Sequence, residues 1–186
     1  MWTREIPFPT VYTSASAMFT TPLRGNIFTR RLAEARKADF RMEQEKSRTL
    51  REQKIRQWFA MWLEKRDSGV ASLFAPDAVY IESWGPEYHG AAKIQLWFEE
   101  WNRRGQVKVW DILQFLHQEN QTAVFWRFHC QMDDGTEQKF DGVSLIRWTE
   151  QNQIGLLQEF GCHIERYDPY EKGSVPVFRR QDAFWF

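Results

Sequence analysis

The order of the hydrophobic periodicities constrains the fold of this chain more than any other feature. A helical stripe comes first, with apolar residues at i, i+3, i+4, i+7 and i+8: Ile55, Trp58, Phe59, Trp62 and Leu63. A second amphipathic helix is predicted over Ala91–Arg104, and Gly105 ends it. Four long strands follow, at about 107–117, 122–132, 136–149 and 154–167. Helices followed by a meander of strands predict an α+β fold with helices gathered on one face of an antiparallel sheet.

The N-terminal part of the chain predicts a boundary near residue 49. The segment Thr49-Leu50-Arg51-Glu52 has the capping-box pattern that begins helices. Before it, residues 27–48 are compatible with a helix, which has no apolar face over residues 43–48, and residues 1–26 read as irregular. We therefore expect an N-terminal extension over 1–48, a domain over 49–170 and a C-terminal tail over 171–186.

Between the two main helices the sequence predicts three short elements. A short helix passes through Leu73 and Phe74, and a strand covers Ala78–Trp84. A loop over Gly85–Gly90 then has glycine and proline signals at its ends.

The charge balance and hydropathy bear on partners and compartment. Basic and acidic residues are equal at 25 each, which argues against a nucleic-acid partner. No apolar run approaches the roughly 20 residues of a membrane span, so no membrane association is expected. We expect a cytoplasmic protein. The alternative is mitochondrial targeting, because the first 33 residues are rich in Ser, Thr and Arg.

Several segments resemble the nuclear transport factor 2-like, or SnoaL-like, superfamily, which includes ketosteroid isomerase and scytalone dehydratase. The resemblance covers about residues 50–170. It is carried by residues 73–82, by Gly85–Gly90 before a helix with Ile94, Trp97 and Phe98, by residues 140–144, and by Glu159-Phe160. It implies a cone-shaped, cystatin-like curved sheet wrapped around helices, a pocket between them, and frequently a homodimer formed through the sheet.

The resemblance also implies roles for a few residues. Glu82 matches the general-base carboxylate of ketosteroid isomerase. Ser144 matches its oxyanion-hole carboxylic acid, and its oxyanion-hole tyrosine falls near Trp58 or Phe59. Two of the three catalytic groups are thus replaced, and steroid isomerisation by that mechanism is not expected.

The turns suggest which strand residues share a face. A two-residue turn at Asp134-Gly135 would pair residues whose numbers sum to about 269, and one at Gln151-Asn152 would give about 303. This register gathers polar groups on one face with Phe125: Arg127, His129, Ser144, Glu159 and His163. The other face is apolar except for Asp141. We prefer the polar face inward and the apolar face at a dimer interface. In the alternative, the apolar face is the core and Asp141 the buried acid, and a single bulge would exchange the two.

The candidate site residues follow from this arrangement. Glu82 lies among apolar neighbours, where desolvation would raise its pKa towards values useful for proton transfer. The candidate catalytic residues are Glu82, Glu159, His129 and Asp141. The remaining candidates line the pocket: Tyr80, Trp84, Tyr88, His89, Trp110, Phe125, Arg127, Ser144 and His163. No metal-binding spacing or dinucleotide motif occurs, and neither metal nor cofactor is expected.

Two functions remain open at this point. The first is a cofactor-free isomerase, dehydratase or cyclase that moves a proton on a small, largely apolar or aromatic molecule. The second is a non-catalytic ligand-binding or dimeric interaction module. Helix-stripe tryptophans such as Trp62, Trp97 and Trp101 are expected to be core first and pocket lining second.

Overall fold

The computed structural model describes residues 25–178 of the chain. The predicted irregular start, the targeting alternative and the last eight residues of the tail fall wholly or mostly outside these residues. The chain divides into two units, with the boundary between Met42 and Glu43. Across residues 25–178, no helix is both long enough and apolar enough to cross a membrane.

The described residues form three helices. The first, α1, runs over Gly25–Glu64, α2 over Val70–Leu73 and α3 over Ala91–Arg104. The predicted helix start at residue 49 is wrong, because Thr49 lies inside α1 and its hydroxyl donates to the Glu45 carbonyl at 3.0 Å. The preceding segment carries good helix formers and an i,i+4 ion pair between Arg30 and Glu34, so the helix continues through it with an exposed surface.

Six strands form one curved sheet in the order β2-β1-β6-β5-β4-β3. Their bounds are β1 Phe74–Ile81, β2 Glu87–His89, β3 Gly105–Gln118, β4 Gln121–Met132, β5 Glu137–Trp148 and β6 Ile154–His163. The α+β prediction is confirmed, with two differences. The predicted loop over Gly85–Gly90 contains β2, and β1 pairs with β6 in parallel, so the sheet is mixed.

The core lies between the helices and the inner face of the sheet. Ile55, Trp58 and Phe59 of α1 and Ile94 and Phe98 of α3 are buried there, as the helical spacing predicts. The strands contribute alternate residues to the same cluster: Ala78 and Tyr80 of β1, Val124 and Trp126 of β4, and Leu157 of β6. This alternation decides which strand residues face the site.

The predicted register between β4 and β5 is wrong by one residue. Arg127 pairs with Asp141 and Trp126 with Gly142, so the sum is 268 rather than 269. The turn has three residues, not two: Met132 bonds to Thr136 across it, and Gly135 adopts a φ of 86°. One extra turn residue moves every β4 side chain to the opposite face relative to β5.

The predicted register between β5 and β6 is confirmed, since Ser144 pairs with Glu159 and Phe140 with His163. Here too the turn has three residues, because Thr149 bonds to Gln153. An irregularity between Arg147 and Trp148 restores the predicted sum. Ser144 and Glu159 therefore do lie side by side.

Candidate functional site

An aromatic-walled cavity of about 30 Å³ lies between α1, α3 and the sheet. Its wall consists of aromatic rings and two glutamates: Trp62, Tyr80, Glu82, Trp84, Trp97, Trp101, Trp110, Trp126, Phe128, Phe140 and Glu159. The volume suits a water or a group of a few heavy atoms rather than a multi-ring molecule. The two carboxyl groups are the ionisable acids of this wall.

Glu82 follows the end of β1 and is only 6% exposed. Its Oε1 accepts a hydrogen bond of 2.6 Å from the Tyr88 hydroxyl of β2. Burial raises the pKa of the Glu82 carboxyl, while the Tyr88 hydrogen bond opposes that rise by stabilising the ionised form. Burial, together with the bond to Glu82, also raises the pKa of Tyr88. Tyr88 thus stays a donor wherever Glu82 is ionised.

Glu159 lies on β6, faces inward and is 8% exposed. It accepts a short hydrogen bond from the Tyr80 hydroxyl of β1. Burial raises the pKa of Glu159 to about 8, the Tyr80 bond opposes this, and the nearby charge of Glu82 adds to it. Burial also raises the pKa of Tyr80 well above its ordinary value, with the Glu159 charge contributing. At neutral pH, Glu159 therefore holds a proton.

The cavity wall is positioned by close packing on β4 and β5. The Trp126 indole donates to Ser144 Oγ at 2.9 Å, and both residues are buried. A Cβ on Gly142, the direct partner of Trp126, would overlap the indole ring. Ser144 therefore orients a wall residue from behind and is not itself part of the wall.

Trp84 and Phe140 line both the cavity and a larger groove of about 720 Å³. Their rings meet edge to face at a centroid distance of 6.2 Å. Trp84 is 58% exposed, whereas the other rings of the wall are buried or partly buried. The groove beyond is lined by Ser83, Trp84, Glu137, Gln138, Lys139, Phe140, Gly161, Cys162 and His163. A ligand reaching the two carboxyls from this side passes Trp84 and Phe140.

Six of the sequence-derived candidates meet at or beside the cavity. Glu82, Glu159, Tyr80, Trp84 and Trp110 line it, and Tyr88 bonds to Glu82 behind it. Ser144 supports Trp126, as described above. Their roles in binding or catalysis stay predictions.

Four candidates lie on the opposite face of the sheet, the three β4 residues because of the register shift and Asp141 of β5 as the preferred arrangement expects. Phe125 pairs with Val143, away from the cavity. Arg127 is exposed and contacts Asp141 at 3.4 Å, so Asp141 is not the acid of an apolar core. His129 approaches Glu137 at 3.3 Å. The preferred arrangement, with Arg127 and His129 turned inward beside Glu159, is therefore wrong, and so is its alternative with a buried Asp141.

The two remaining histidine candidates lie outside the cavity. His89, at the end of β2, pairs with Glu87 at 2.9 Å and is well exposed. His163, at the end of β6, lines the outer groove instead. Within residues 25–178, no group of three or more His, Cys, Asp or Glu side chains is placed to hold a metal ion.

Several residues of the cavity wall were not among the pocket-lining candidates predicted from the sequence. Trp62, Trp97 and Trp101 do line the cavity, and Trp126, Phe128 and Phe140 join them. The helix stripes identified the first three only as core. For Trp126 and Phe128 the signal was the alternation of β4, which the wrong turn length assigned to the outward face. Phe140 was placed on the inward face but was not predicted to line the pocket.

Two indole donors of the wall lack an acceptor within the described part of the chain. They are the Nε1 atoms of Trp62 and Trp110, and both side chains are buried. Buried donors are normally satisfied, so these two lower the stability of the folded state.

Comparisons with known proteins identify the family and the fold of the chain. The family model described as SnoaL-like domain matches residues 55–155, and the chain belongs to this family. No curated protein sequence matches the chain. The family resemblance and the curved sheet with its helices are thereby confirmed.

Solved structures share the fold at low sequence identity. A candidate isomerase from Bacillus subtilis is 15% identical with a TM-score of 0.53, over 59% of this chain and 84% of that one. A candidate SnoaL-like polyketide cyclase from Jannaschia is 12% identical with a TM-score of 0.51, over 61% and 85%. A protein of ketosteroid isomerase-like fold from Catenulispora acidiphila, solved with trimethylamine, is 17% identical with a TM-score of 0.50, over 60% and 85%. At these identities the likeness concerns the fold alone.

Proposed function

We propose that this chain is a cofactor-free enzyme that moves a proton on a small, largely apolar substrate, as an isomerase, dehydratase or cyclase does. The observation that carries the proposal is the pair of buried carboxyls in one cavity, each accepting from a tyrosine. Acids whose environments separate their pKa values can serve as base and acid in one site. Other proteins of this fold described as candidate isomerase and cyclase support the reaction class.

The two carboxyls have different roles in this mechanism. Glu82 ionises first, because its charge is one of the causes that raise the pKa of Glu159. The Glu82 carboxylate takes a proton from a carbon next to a carbonyl, and the Glu159 carboxyl gives its proton to the carbonyl oxygen. Glu82 then returns its proton to another carbon, and the hydroxyl proton returns to Glu159. Tyr80 stabilises the transient Glu159 carboxylate.

The cavity size restricts which part of a substrate reaches the carboxyls. A volume of about 30 Å³ holds the reacting group, while the rest of the molecule extends past Trp84 into the groove. Exclusion of water by the aromatic wall strengthens the electrostatic contribution of both acids. Small carbonyl compounds with an acidic C–H bond are the substrates to try first.

Proton exchange tests the proposal without knowledge of the natural substrate. Small ketones and enones are incubated with the full chain in deuterated buffer, and deuterium uptake is followed by proton NMR. We expect uptake with the wild type, loss on Glu82→Gln, and retention on Glu150→Gln, which changes an exposed acid at the β5–β6 turn. Undiminished exchange by a folded Glu82→Gln protein would refute the assignment.

We also propose that the outward sheet face forms a homodimer. Phe160, 48% exposed, continues a row through Val143 to Phe125, its neighbours on β5 and β4. Apolar rows of this kind on a sheet surface commonly mark a contact with another chain.

A further inference from the structure

The cavity wall combines aromatic rings with two carboxyl groups. Nine of its eleven wall residues are aromatic, six of them tryptophans, and the other two are Glu82 and Glu159. The faces of aromatic rings carry negative electrostatic potential. Ring faces and carboxylates both favour a positively charged guest over a neutral or anionic one.

No cationic side chain belongs to this wall. Arg127, which follows the wall residue Trp126 in the sequence, pairs with Asp141 on the other face of the sheet. The hydrogen-bond partners of the two acids are tyrosines, which carry no positive charge. Buried carboxylates normally have a cationic partner, and in this site the protein does not supply one.

We propose that the cavity binds the N-methylated ammonium group of a small ligand, with Glu82 as its counter-charge and the tryptophan rings as its cage. A quaternary ammonium suits such a cage, since its methyl groups lose little hydration and its charge interacts with ring faces. A bare metal ion or a primary ammonium would require several oxygen ligands instead. One positive charge on the guest balances one Glu82 carboxylate, while Glu159 keeps its proton.

This inference rests on the proposed function in one respect: it names the class of the substrate that the same cavity accepts. The molecule is small and mostly apolar in surface, but it carries a permanent positive charge.

Two isosteric probes separate charge from shape. Choline and 3,3-dimethylbutan-1-ol differ in having a quaternary nitrogen or a quaternary carbon. Isothermal titration of the full chain should show choline binding, and the neutral alcohol should bind roughly tenfold or more weakly. Equal affinity for the two would overturn the inference, because the cavity would then recognise only an apolar shape.

Variants locate the binding in the cavity. Trp101 is a partly buried wall residue in ring contact with Trp62, so its substitution is expected to leave the fold intact, as circular dichroism can verify. Trp101→Leu should weaken choline binding, Trp101→Phe should largely preserve it, and Glu82→Gln should weaken it. Glu150→Gln is the matched control and should bind as the wild type does.

The outcome also separates this inference from the proposed function. If Glu82-dependent proton exchange occurs but choline fails to bind, the ammonium inference is wrong and the enzyme proposal stands. If choline binds with the expected dependence on Glu82 and Trp101 but no exchange occurs on any substrate, including ammonium ketones, the cavity is a binding site without this chemistry.

Discussion

Trp126 and Gly142 are direct partners across β4 and β5, and the indole fills the space that a side chain at residue 142 would need. Gly142→Ala would push a methyl group into a buried ring that is held by Ser144. We expect a loss of about 1–3 kcal/mol in the free energy of unfolding, as for other overpacked cores. Urea denaturation followed by tryptophan fluorescence measures it.

Gly155 offers the matched control for this substitution. A Cβ at that position would meet its nearest atoms at 3.5 Å, which is ordinary contact. Gly155→Ala should therefore change stability much less than Gly142→Ala. Equal losses for the two variants would contradict the packing argument.

The same residue pair shows where sequence reasoning succeeded and where it failed. Helical spacing located α3 to the residue, and turn signals placed β4 and β5 within about two residues of their observed ends. The Asp134-Gly135 signal located the turn but not its length, which is three residues because Asp133 joins it. That one residue turned Arg127 and His129 away from the cavity and Trp126 into it.

The Tyr80–Glu159 pair could not be predicted from sequence for a different reason. It joins β1 and β6, which run parallel, and the two residues are 79 apart in sequence. No tight turn connects such strands, so no local signal sets their register. Glu82, by contrast, was recognisable because it stands alone among apolar residues at the end of a strand.

Tyr88→Phe tests whether the Tyr88 hydroxyl lowers the pKa of Glu82. The lost hydrogen bond stabilises the ionised carboxylate, so its removal should raise the pKa of Glu82 further. The acidic limb of the pH profile for proton exchange should therefore move to higher pH. Tyr170→Phe, which changes a tyrosine that is 49% exposed, should leave the profile in place. A shift to lower pH would contradict the role given to Tyr88.

The raised pKa of Glu159 predicts a pH-dependent stability. The folded protein keeps a proton on Glu159 up to about pH 8, whereas the unfolded chain releases it near the ordinary value of 4.5. Between these values the folded state binds more protons, so the free energy of unfolding falls as pH rises. The loss should be complete above pH 8 and on the order of a few kcal/mol.

Glu159→Gln should remove this part of the pH dependence. The free energy of unfolding of the variant minus that of the wild type should increase from pH 5 to pH 9. Urea denaturation at fixed pH values measures both quantities. Parallel curves for the two proteins would mean that Glu159 titrates normally.

Phe160→Glu tests the proposed dimer face. A charge at the β6 end of the row through Val143 and Phe125 would be buried in the interface, which strongly disfavours association. Light scattering after size-exclusion chromatography should give a dimer for the wild type and a monomer for the variant. An exposed substitution away from the row, Glu171→Gln, is the control. A monomeric wild type would show that the dimer proposal is wrong.

The ionisation of the two cavity acids is the most direct test of whether Glu82 and Glu159 act as base and acid. Carbon-13 labelling of the glutamate carboxyls allows each to be titrated by NMR, and the Glu82→Gln and Glu159→Gln proteins assign the two signals. We expect the Glu159 carboxyl to be protonated at neutral pH and to titrate at about 8, after Glu82. If both acids titrate near the ordinary value of 4.5, they do not form an acid–base pair, and the proposed mechanism fails.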